Sequence, residues 1–278
     1  KTNNGPISKA LKEYGIIDTI LDDVEEKYLY PSQAWASIST GLDAEKHGIR
    51  WYNDAKSTSN FYWRQASRNF KKVALMNVLH TGSITEEEIK NYCFVFPDFF
   101  STNPKVNLKK YIPFQNFNHL MSVSSGRKTS KKEILINGII DFFKYPLPNA
   151  WGISIKDTLK WIELIYSSRN DNEVLRNAQF LLQARIFLNE ILKGNGSDLS
   201  VIFTNHVASC LHRNFHDLEK NHSDDKIKKI KINLSMKILD QFINECIINF
   251  PKRQIVLISA IGQVQNKNIN DDYKKKNS

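Results

Sequence analysis

The chain has 278 residues, 41% hydrophobic and 24% charged, with a formal net charge of +10. That apolar content can bury a core, so a chain disordered throughout is excluded. No apolar run approaches the roughly 18 residues of a membrane-spanning helix. The positive excess is scattered lysine with patches at Lys226–Lys231 and Lys274–Lys276; no arginine stripe interleaves with aromatics, so no nucleic-acid partner is expected.

Ile7–Tyr14 reads as a short helix stopped by Gly15. Trp35–Thr40 mixes small and apolar residues, the pattern of a helix held close to a sheet. Phe61–Asn69 reads as a further helix. The apolar run Val73–Leu79 has no polar alternation and is predicted as a strand buried on both faces, which is the parallel-sheet signature. Phe94–Phe117 is aromatic and rich in Pro and Asn, predicting loop with short elements. Helices are expected over Ser130–Tyr145 and Asp157–Leu192, the second interrupted near Ser167–Asn172. Leu199–Thr204 and Gln254–Ser259 are predicted strands, separated by a helix over Ile232–Asn249 with an apolar stripe through Leu234, Ile238, Phe242 and Cys246.

This order predicts a single α/β domain over 1–278. It has a mostly parallel central sheet, helices on both faces, a mainly helical insertion at 97–196 and a polar tail at 266–278. Cys93, Cys210 and Cys246 are odd in number, far apart and in apolar segments, so buried free thiols are expected. Free thiols lean toward the cytoplasm. The start at Lys1, without an initiator Met, leaves the compartment open. Trp35, Trp51, Trp63, Trp151 and Trp161 are expected in packing roles rather than ring stacking.

Four segments share a further pattern. They are Trp35-Ala-Ser-Ile-Ser-Thr-Gly41 with Lys46-His-Gly-Ile49, Phe70–Val78, Asp198–His212, and Ile255–Gly262. Together, in this order, they resemble the alkaline phosphatase superfamily in its type I phosphodiesterase branch. The resemblance implies an alkaline phosphatase-like fold and hydrolysis of phosphate esters. Two divalent cations, zinc or manganese, would be held by Asp and His while a Thr or Ser attacks phosphorus.

Position by position, the resemblance places that nucleophile on Pro31, with Ser32 next to it. One metal-binding Asp falls on Ala208, and its His partner is His212. An Asp-His pair falls on Ala260-Ile261. His212 is then the one family ligand kept, and the usual two-metal site is not expected. The expected function is a phosphodiesterase or phosphohydrolase relative that acts on, or binds, a phosphorylated or nucleotide-like ligand. The alternative is an inactive pseudoenzyme or protein-interaction domain using the same cleft. A third reading has segments beyond Lys1 and Ser278 supplying further ligands.

Candidate catalytic residues are Ser32 as nucleophile with His206 or His212 as base. Candidate ligand contacts are Gln33, Asn53, Asn205 and Gln263. Each has a plainer reading: Ser32 as a turn residue, His206 as a hydrogen-bonded core histidine, Gln263 as a partner for backbone groups, His47 as a brace before Gly48.

Overall fold

The computed structural model describes residues 5–15, 30–56, 59–69, 71–101, 106–123, 172–193, 196–214 and 224–259, with single positions between 154 and 166. The chain divides into two compact units. One is Glu13–Thr204; the other joins Lys1–Lys12 to Asn205–Ser278.

The larger unit is built on three parallel strands, β1 (Val73–Met76), β2 (Phe94–Phe96) and β3 (Leu199–Ile202), in the order β2-β1-β3. Leu75 lies opposite both Val95 and Val201. All residues of β1 and β2 are buried, as parallel strands covered on both sides require. Side chains alternate across the sheet. Val73, Leu75, Val95, Leu199 and Val201 share one face with Ala36, Phe61 and Trp63. On the other, Phe94 and Phe96 meet Tyr111, and Phe96 meets Phe114. The fold is thus α/β with a small parallel sheet.

Local signals explain the helices around the first face. In α2 (Pro31–Thr40), Pro31 occupies the first turn, where no N–H is needed, and Gly41 ends the helix at φ 71° with its N–H on the Ser37 carbonyl. In α3 (Ala44–His47), the Asp43 side chain accepts from the Lys46 N–H and Gly48 closes at φ 65°. Then comes α4 (Tyr62–Arg68). Thr85 and Glu88 form a reciprocal capping box at 3.1 Å in both directions. Glu88 also receives Arg64 and Arg68. Arg64 is fully buried, with its guanidinium on the carbonyls of Lys56, Ser59 and Ser83 and 5.0 Å from the Trp63 ring. This unit also contains α5 (Ile112–Val123) and α6 (Asn172–Lys193). The Glu190 carboxylate of α6 accepts from Tyr111 Oη at 2.5 Å and Lys110 Nζ at 2.8 Å.

The smaller unit holds α1 (Pro6–Tyr14) as far as Lys12, α7 (His206–Asn214) and α8 (Asp224–Asn249). Ile7 donates its N–H to Asp240 Oδ1 at 3.1 Å. Gly5 approaches that carboxylate so closely that a Cβ would lie 2.1 Å from Oδ2. Cys210, Ile238, Phe242 and Ile243 are buried here.

Several expectations need correction. The strand expected over Gln254–Ser259 is irregular and exposed along its whole length, with Val256 67% exposed. An apolar run records a preference for burial, but no described strand pairs with it. The strand expected to reach Leu79 stops at Met76 because Asn77 turns to φ 56°. Cys93 is an exposed thiol rather than a buried one. Trp51 is 58% exposed, against an expected packing role, whereas Trp63 is fully buried. The helix expected over Ser130–Tyr145, with Trp151, Trp161 and the polar tail, lies outside the described residues.

Candidate functional site

Parallel sheets carry ligands beyond the carboxyl ends of their strands. In this unit those ends are polar although buried. Asn77 follows β1, and His80 and Thr81 come just after it; Asp98 follows β2. All four are at most 1% exposed. Asn77 and His80 both adopt left-handed backbone, φ 56° and 69°, a conformation that side-chain-bearing residues hold only where surrounding structure enforces it.

His80 is the junction of the site. Its Nε2 lies 2.9 Å from the Ser32 carbonyl and its Nδ1 3.3 Å from the Tyr52 carbonyl. A neutral imidazole has one N–H, so the shorter contact takes it. Burial lowers the His80 pKa, outweighing the two carbonyls that favour its cation. The ring lies parallel to Phe61, 5.7 Å between centroids.

Ser32 and Gln33 sit in the first turn of α2, 2% and 3% exposed. Ser32 Oγ donates to the Arg50 carbonyl at 2.5 Å. Gln33 N–H and Ala34 N–H both reach the Tyr30 carbonyl at 3.0 Å. Gln33 Oε1 is buried with no hydrogen-bond partner among the described residues, as are both amide atoms of Asn77. His47 braces the following turn. Its Nδ1 accepts the Ile49 N–H at 3.0 Å, so Nε2 carries the proton toward Ser37 Oγ, also at 3.0 Å. Burial, then the neighbouring His80, lowers the His47 pKa.

Asp98 is held by backbone donors. Oδ1 accepts Phe100 N–H at 2.9 Å and Oδ2 faces Gly82 N–H at 3.4 Å. Its own N–H donates to Thr81 Oγ1, and Gln115 Nε2 donates to its carbonyl. Burial outweighs these donors and raises the carboxyl pKa to about 6.

The sequence candidates separate between the units. Ser32 and Gln33 lie together in the larger one, and Asn53 is exposed on the 51–54 turn. Asn205, His206 and His212 belong to the smaller one. His206 is buried with Nε2 3.2 Å from the Ser235 carbonyl, and burial lowers its pKa to about 4. Asn205 and His212 are exposed, and Gln263 lies outside the described residues. Among the described residues no three His, Cys, Asp or Glu could hold a metal ion together. Sequence reasoning missed Asn77, His80 and Asp98. The available signal was polar residues immediately after apolar strands. Comparisons with protein-family models, curated proteins and solved structures return no match to this chain.

Proposed function

We infer that the chain is an alkaline phosphatase-like α/β protein that binds a phosphorylated, nucleotide-like ligand beside the first turn of α2. In this reading it binds without two-metal hydrolysis. The observation that carries the reading is the state of Ser32. Its hydroxyl donates to the Arg50 carbonyl, and the residue that the resemblance sets against the nucleophile is Pro31. An attacking hydroxyl needs a base to take its proton; a backbone carbonyl is not one. Exposed Arg50 and a net charge of +10 favour an anionic ligand nearby.

The test is calorimetry with ribose 5-phosphate, alongside turnover of a generic phosphodiester with and without zinc or manganese. Binding without turnover is expected, with Ser32→Ala costing about 1 kcal/mol of stability as a lost hydrogen bond. Metal-dependent turnover abolished by Ser32→Ala would overturn the reading.

A further inference from the structure

The His80 ring stands between two carbonyls that belong to segments distant in sequence. Nε2 faces the Ser32 carbonyl in the first turn of α2 at 2.9 Å, and Nδ1 faces the Tyr52 carbonyl in the 51–54 turn at 3.3 Å. Both carbonyls can only accept, and a neutral imidazole offers one N–H. With that proton on Nε2, the Nδ1 lone pair is set against the Tyr52 oxygen. The imidazolium alone has a donor for each carbonyl.

The surroundings keep the ring at this post. His80 holds left-handed backbone at φ 69°, and its carbonyl accepts Ser83 N–H at 3.1 Å and Ser83 Oγ at 2.7 Å. A side-chain-bearing residue keeps such backbone only where its neighbours enforce it. The Phe61 ring lies parallel at 5.7 Å between centroids, and the Tyr52 ring at 6.4 Å with planes 27° apart. An aromatic face within about 6 Å attracts a cation.

The titratable neighbours divide. Burial opposes the imidazolium most strongly, the two carbonyls favour it, and Asp54 of the 51–54 turn favours it further. His47 of α3 lies close enough that the two imidazoles resist charging together. Burial, then Asp98 beyond β2, raises the Tyr52 phenol pKa, so that group stays neutral at acid pH. The His80 proton therefore arrives below the ordinary histidine value of 6.5.

We propose that His80 is a proton-operated clasp: its imidazolium ties the 51–54 turn to the first turn of α2, and its neutral ring releases the Tyr52 carbonyl. The clasp stands or falls independently of any ligand. It also has a distinguishing sign. A native pKa lowered by burial means that the His80 contribution to global stability is present above about pH 6.5 and lost as pH falls through the native pKa. Acid thus tightens this turn while it weakens the unit as a whole.

The experiment follows the full, isotope-labelled chain by nuclear magnetic resonance from about pH 7.5 to about pH 4.5. One readout is the protonation of the His80 ring nitrogens, the ring being identified by its contact with Phe61. The other is hydrogen exchange at the Arg50 and Trp51 amides, corrected for the intrinsic effect of pH. Both amides donate to Asp54, at 3.0 and 2.8 Å, so they report opening of the turn. At neutral pH one ring nitrogen should carry a proton, and at acid pH both. Gain of a charge-assisted bond should then slow exchange at the two amides by about tenfold. His80→Gln, which cannot titrate, should lose that acid-side protection while His47 remains in place. Should His80→Gln fail to fold, the two wild-type readouts decide by themselves. A ring that stays neutral to about pH 4.5 overturns the clasp. So does protonation with unchanged or faster exchange, which would mean that the cation leaves for water, and so does acid-side protection that survives His80→Gln.

Discussion

Asp98→Asn tests whether the polar end of the sheet is a dry interior. The carboxyl is 1% exposed, and its pKa rises from 3.8 to about 6. Its native pKa therefore lies above its unfolded one. The stability it contributes is fully present below about pH 3.8 and is lost as pH rises through about 6. About two pKa units at roughly 1.4 kcal/mol each give a swing on the order of 3 kcal/mol. Asn cannot ionise, so it removes the swing. It also places an amide N–H₂ against the Gly82 N–H, a constant cost that cancels when two pH values are compared. The assay is urea unfolding followed by tryptophan fluorescence at pH 4 and pH 7. All five tryptophans lie within residues 13–204, so the signal reports the unit that holds Asp98. Relative to wild type, Asp98→Asn should gain on the order of 3 kcal/mol at pH 7 over its standing at pH 4. A difference between variant and wild type that is flat with pH would refute the assignment of Asp98 as buried and desolvated.

In the smaller unit the sign reverses. The His206 pKa is lowered from 6.5 to about 4, so its contribution is present above pH 6.5 and lost as pH falls toward 4. Far-ultraviolet circular dichroism melts should show His206→Gln without that acid-side loss, on the order of 3 kcal/mol in wild type. Arg64→Leu strips three carbonyls and Glu88 of a buried cation, and urea unfolding should register a loss of about 3–5 kcal/mol. Val256→Asp, on the exposed run, should shift stability by no more than about 0.5 kcal/mol in the same assay; a loss of several kcal/mol would mean the run is a buried strand after all.

What the sequence made legible follows from how local each signal is. Pro31, Gly41, Asp43 and Gly48 act on neighbouring backbone, so the ends of α2 and the brace before Gly48 could be read directly. Val73–Met76 could be read because burial on both faces leaves a continuous apolar run. Gln254–Ser259 has the same composition and a different fate, because pairing depends on a partner strand and not on the run itself. Three residues of β2 are too few to stand out from an aromatic-rich stretch. Arg64 reads as an ordinary surface charge on a helix; only the converging carbonyls of Lys56, Ser59 and Ser83 make it interior. The site divides the same way. Ser32 and Gln33 were found from a motif, whereas His80 acts through carbonyls 28 and 48 residues away in sequence.

The order β2-β1-β3 also has a consequence for biosynthesis. β2 follows β1 closely in the chain, but β3 comes far later; the bond from Lys72 N–H to Asp198 spans 126 residues. At roughly 5–20 residues per second, a ribosome needs on the order of ten seconds to deliver that partner. Through that interval one edge of the buried strand Val73–Met76 lacks its native neighbour. Lys71 and Lys72 stand directly before it, charges of the kind that discourage association with another nascent chain.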